Sequence, residues 1–198
     1  MSNIDKLGIG DSFDASVTRN AGSSDQIGLE GRYTFACYDK DGNLKWTDGI
    51  ENLTTNVGRA NLLDSYFANT GGGAVVMGLM TNNAVPASIP AYTDTQASHS
   101  GWFEAGSANA PTYSGTRKTP SFSAATNANP SVLSTASAVV FSMTGSGTVT
   151  GAFINIGGSS AIDNTTGTLF SAGNFTAGSK TVTSGDTINV TYTLSAAG

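Results

Sequence analysis

Gly173, four intervening residues, Gly178 and then Ser179-Lys180-Thr181 come within one residue of a nucleotide-binding P-loop. That chemistry needs Lys directly after the second Gly, a buried strand before the loop and a helix after it, so that amides and helix dipole converge on phosphate. Here Ser179 intrudes, and the following "TVTSGDTINVTYT" alternates apolar and polar residues as a strand does. The segment therefore reads as a hairpin bend carrying a solvated Lys180, and no nucleotide site is expected.

Other candidate centres are equally sparse. Asp39, Asp41 and Asn43 imitate the first ligands of a calcium loop, but the twelfth position is Ile50 where a bidentate Glu is required, so "DKDGN" reads as a turn. The single histidine, His99 in "TQASHSGWFEAG", excludes a multi-histidine metal site. It would have to serve any Ser-His-Asp triad, and no serine lies in a G-x-S-x-G elbow, so His99 reads as a hydrogen-bonded turn residue. Asp39, Asp41, Asp48, Asp163 and Asp186 read as turn residues. Glu104 stands apart, because it follows Trp102 and Phe103. An acid beside aromatics can stack on and hydrogen-bond a sugar, so Trp102, Phe103, Glu104 and Trp46 are candidate glycan contacts; the competing reading puts these aromatics in the core. The lone Cys37 excludes an internal disulfide and reads as a small buried apolar residue. No catalytic residue, metal ligand or cofactor site is expected, and the chain reads as non-enzymatic.

The elements that would position these residues are mainly strands. Residues 32–38 and 43–47 alternate on either side of "DKDGN" and predict a hairpin. "TTNVGRANLLDSYFANTGGG" predicts the one helix, capped by Thr55 or Asn56, with Val57, Ala60, Leu63 and Phe67 on one face beside Leu62 and Tyr66, and ended by Gly71-Gly72-Gly73. "AVVMGLMT", residues 74–81, predicts a short buried strand, and residues 82–95 a polar loop. Further strands are predicted near 101–105, 121–124, 136–144, 148–156, 168–172, 179–183 and 187–194. In the last, Ile188, Val190, Tyr192 and Leu194 share one face. "GSG" at 145–147 and "SGD" at 184–186 predict turns between antiparallel neighbours. Residues 1–30 lack a sustained period and carry scattered apolar positions, which predicts an extended N-terminal arm, ordered against another surface or lying on its own domain, preceding a β domain at 31–198.

Bulk properties narrow the setting. With 198 residues the chain suffices for one domain with a real core. Charged residues make up 12 %, about half the roughly 25 % usual in soluble proteins, so the polar surface consists mainly of small neutral groups. Such groups lose little side-chain entropy when packed against a neighbour. A net charge of −5, with no basic stripe, argues against nucleic acid. There is neither a signal-peptide pattern nor a run of ~20 apolar residues, so synthesis in a cytoplasm and no membrane partner are expected.

Several stretches together resemble a known group. They are "LTTNVGRANLLDSYF", "VVMGLM", "TDTQASHSGWFEA", "YSGTRKTPSFSAA" and the closing "ASAVVFSMTGSGTVTGAFI" and "GTLFSAGNFTAGSKTVTSGDTINVTYTLS". From about residue 50 to 198 the chain resembles small β-rich structural proteins of tailed bacteriophages, the capsid decoration or cement group. The resemblance implies a jelly-roll-like antiparallel β sandwich with one short helix, assembled on the virion, often as trimers at capsid symmetry axes. It implies the major capsid protein as partner and the capsid surface as location, with synthesis in the host cytoplasm. Ile4, Leu7, Ile9 and Phe13 are then the expected capsid contacts of the arm. The alternative is a tail, fibre or receptor-binding module that uses the glycan contacts named above.

Overall fold

The computed structural model describes residues 28–66, 68, 72–81 and 89–197. The candidate arm contacts Ile4, Leu7, Ile9 and Phe13 lie outside them, as do Phe67, Gly71 and Pro86. The described chain is mainly β and antiparallel, with strands β1 Gly28–Tyr38, β2 Leu44–Thr54, β3 Val75–Thr81, β4 Phe103–Glu104, β5 Ser131–Ser134, β6 Val139–Ser142, β7 Gly147–Val149, β8 Gly151–Ile156, β9 Thr168–Asn174, β10 Lys180–Val182 and β11 Thr187–Ala197, and one helix, α1 Asn56–Tyr66. β1 begins inside the stretch read as arm.

Nine strands form one hydrogen-bonded path, β4-β3-β8-β9-β2-β1-β11-β5 with β6 also on β11, while β10 and β7 pair separately. The path is two layers joined at a corner. β2 runs beside β1 for most of its length, and only its end, Leu53 and Thr54, pairs with Ala172 and Ser171 of β9. The first layer (β2, β1, β11, β5, β6) turns Tyr33, Phe35, Cys37, Ile188, Val190 and Tyr192 inward; the second (β3, β8, β9) answers with Met77, Leu79, Ala152, Ile154 and Phe170. Strict alternation in β1 and β11 reflects one wet face. The second layer is buried on both faces, which explains its near-continuous apolar runs: Met80, Phe153, Leu169 and Ala172 face away from the sandwich and are covered by Trp102.

Local chemistry sets the turns. Between β1 and β2, the Asp39 carboxylate accepts from the amides of Asp41 (2.9 Å) and Asn43 (2.8 Å), and Gly42 takes φ +85°. This is the turn the sequence suggests. The turns at 145–147 and 184–186 differ from expectation. β6 pairs with β11, and β7 with β10, so neither "GSG" nor "SGD" joins hydrogen-bonded neighbours. Both instead carry the chain between the first layer and the separate β7–β10 pair, as arches linked to each other through Met143 N to Asp186 O (2.8 Å) and Gly185 N to Met143 O (2.9 Å). Residues 121–124 form only a single bridge, Phe122 to Thr135.

The helix also corrects its expected packing. Thr55 caps it, accepting from the Gly58 amide at 3.0 Å while its hydroxyl donates to the Leu169 carbonyl. Of the residues expected along its apolar face, Val57, Ala60, Leu62 and Leu63 are exposed. α1 instead docks by its first turn, where a Cβ on Gly58 would lie 2.3 Å from the Phe170 carbonyl oxygen. Contact through backbone at a glycine leaves no trace in hydrophobic periodicity.

Candidate functional site

The densest buried polar cluster surrounds Glu104. β4 is only two residues long, held on β3 by Glu104 opposite Met80, and it delivers the carboxylate to the edge of the buried second layer. Arg117 meets it with both ends of its fork, Nε to Oε1 at 2.8 Å and Nη2 to Oε2 at 2.6 Å. The guanidinium also donates to the carbonyls of Ser159 (3.1 Å) and Asn164 (2.6 Å), and the Asp163 amide donates to Glu104 Oε2 (2.9 Å). Arg117 and Glu104 are 2 % and 3 % exposed, so an ion pair this deep is tolerable only because its hydrogen-bonding capacity is met. Burial lifts the Glu104 carboxyl above its ordinary value, against the pull of Arg117 and of the Asp163 amide. Its geometry staples the loop of residues 157–167 to β4. Asn155 does the same from β8, donating to Gln96 Oε1 (2.9 Å) and the Thr166 carbonyl (3.1 Å) and accepting from the Gly158 amide (3.0 Å).

A shallow hollow of about 170 Å³ opens beside this cluster, lined among others by Gln96, His99, Phe103, Asn109 and Asp163. Of the four candidate glycan contacts, the structure brings Phe103 and Glu104 to this hollow and leaves the others elsewhere. Trp102, 1 % exposed, is core: its ring stacks on His99 at 3.8 Å and its Nε1 donates to Asp94 at 3.1 Å. Glu104 is held by Arg117, and Trp46 packs edge-on against Phe175 at 5.6 Å with its indole N–H directed to the Thr181 carbonyl. Phe103 is exposed, and Trp46 is only partly buried. His99 is the turn residue expected, its Nδ1 hydrogen-bonding the Trp102 carbonyl at 3.0 Å.

Two further ion pairs tie β2 to β10 and to the arch that follows it. Lys180 is not solvated as expected: it opens β10 with its ammonium 2.8 Å from Asp48, and both are largely buried. Asp48 correspondingly sits within β2 and not in a turn. Lys45 pairs with Asp186 at the base of the second arch, where Asp186 also accepts from the Thr183 amide at 2.8 Å. Burial alone would raise the Asp186 carboxyl, but Lys45 and the Thr183 amide and hydroxyl outweigh it and hold the carboxyl below its ordinary value. Cys37 is buried as expected, and burial pushes its thiol up to about 11. Sequence reasoning missed Arg117 altogether; its position thirteen residues after Glu104, in a segment without periodicity, offers no signal.

Among the described residues no group of three or more His, Cys, Asp or Glu could hold a metal ion, and no helix is long and apolar enough to cross a membrane. A different surface stands out by its lack of polarity. At one end of the sandwich, between the layers and beside α1, lies a cleft of about 200 Å³ lined only by apolar side chains, including Leu62, Leu133, Ile154, Phe170, Tyr192 and Leu194. Compared with known proteins, the chain matches no family model, no curated protein and no solved structure.

Proposed function

We propose that the chain is a non-enzymatic virion structural protein of a tailed phage, a capsid decoration or cement protein that stabilises the head by bridging capsid subunits. The jelly-roll-like arrangement, assembly as a trimer and the major capsid protein as partner belong to this reading. The observation that carries it is the joining of a braced, low-charge β sandwich to an N-terminal stretch bearing Ile4, Leu7, Ile9 and Phe13. Small neutral side chains cover the sandwich, so it can lie against neighbours with little charge desolvation or entropy loss. An arm reaching across a seam adds contacts at high effective concentration, so many modest interfaces suffice. The stapling of the loop at 157–167 by Arg117 and Asn155 fits a rigid load-carrying module.

Cryo-EM of particles from the source that encodes the chain tests this directly. Density repeated across the head shell is expected; density confined to tail or fibres would move the function to tail assembly or host recognition. Deletion of residues 2–27, which spares β1, should lower occupancy on purified heads well below that of the full chain. Equal occupancy would remove the arm from the binding surface.

A further inference from the structure

The apolar cleft between the layers is a site without an assigned occupant. Ile154, Phe170 and Tyr192 of the core line it, together with Leu133 of β5, Leu194 of β11 and Leu62 of α1. A cleft with no polar atom in its lining offers a polar side chain no partner, so what fills it is hydrocarbon. At about 200 Å³ it exceeds the roughly 150 Å³ of an apolar cavity that accepts a benzene ring.

The chain carries such a ring within reach. β1 starts at Gly28 opposite Ala197, and three residues further on Gly31 lies opposite Leu194, whose side chain lines the cleft. Residues 1–27 therefore join the domain next to the cleft. Phe13 is the sole aromatic among them, and the fourteen residues between it and Gly28 can span up to about 50 Å. "NAGSSD" at 20–25 is rich in residues that favour chain reversal, and Asp11, Ser12, Asp14 and Ser16 flank Phe13 with groups suited to a wet rim.

We propose that Phe13 inserts into this cleft on its own chain and clamps the arm to the sandwich. The clamp removes Phe13 from the set of capsid contacts and leaves Ile4, Leu7 and Ile9 beyond it for a partner. It does not depend on the virion reading, since it is a property of the free chain.

The test is methyl NMR on the full-length protein with labelled Ile, Leu and Val. Nuclear Overhauser contacts are expected from the Phe13 ring to methyls of Leu133, Ile154 and Leu194. Phe13→Ala should abolish them and shift those resonances, with the Ile50 and Ile188 methyls unmoved as a check on the fold. Ile4→Ala should leave all of them in place. The proposal is overturned if the wild-type contacts are absent, if they come from Phe67 instead, or if a mixed sample of differently labelled chains shows them passing between copies.

Discussion

At the scale of single residues, the molecule places its charges where they hold loops down. Arg117 is the most consequential. Truncating it strands Glu104 in a dry site, and breaking a buried pair by removing one partner costs about 3–5 kcal/mol. Arg117→Met should therefore lower the unfolding free energy measured in urea by about 3–5 kcal/mol, while adding Glu104→Gln should recover part of the loss; a double variant no more stable than the single one would show that the charge on Glu104 is not the problem. Asp186 makes the complementary statement about pH. Its carboxyl is depressed in the folded state, so its stabilisation is fully present above the ordinary carboxylate value near 4 and fades as pH falls through the folded value. Melting temperature followed from about pH 5 to about pH 2 should fall less steeply in Asp186→Asn than in the unaltered protein. Parallel slopes would mean that other carboxylates dominate acid unfolding. None of the pairs Arg117–Glu104, Lys45–Asp186 and Lys180–Asp48 was legible in the sequence. Glu104 drew notice only for its aromatic neighbours, and Lys180 only for its resemblance to a phosphate-binding lysine; ion pairs are made across the fold, and residue spacing along the chain does not reveal them.

At the scale of elements, what could be read was whatever local pattern decides. The alternation of β11, the buried run of β3, the Asp39–Asn43 turn and the Thr55 cap all follow from side-chain period or turn chemistry within a few residues. Partner choice does not. "GSG" and "SGD" have the composition of hairpin turns, yet each joins a strand of the first layer to a strand of the separate β7–β10 pair, with Val139, Phe141, Val149 and Val182 all buried in the same core. The helix fails the same way: its periodicity pointed Val57 and Leu63 inward, but the contact that seats it is Gly58 against the backbone of Phe170. Gly58→Ala should thus destabilise the protein by about 1–3 kcal/mol through overpacking, even though alanine is the better helix former. Thermal melts of Gly58→Ala beside Ala60→Gly separate the effects, the latter costing only about 1 kcal/mol; a stabilised Gly58→Ala would place α1 away from β9.

At the scale of the whole molecule, the sandwich was legible as a class and its wiring was not. β-rich content and one helix follow from composition and period, whereas the corner at Leu53 and Thr54 depends on where Gly173 lets β9 approach Ile50. The wiring has its own result. β1 and β11 pair at every position from Gly28 opposite Ala197 to Tyr38 opposite Thr187, and they sit side by side in the middle of the first layer. Residues 39–186 must leave the ribosome before that ladder can begin. At roughly 5–20 residues per second, β1 waits on the order of 10 s or longer beside a nascent chain that cannot complete its layer. Throughout that interval β1 has only β2 as an in-register neighbour, and its other edge, with Tyr33, Phe35 and Cys37 on one face, stays open to strands from other nascent chains. β1 and the strand that completes its pairing are thus the first and the last of the described strands to be made, and crowding on a heavily translated message is the hazard this topology carries.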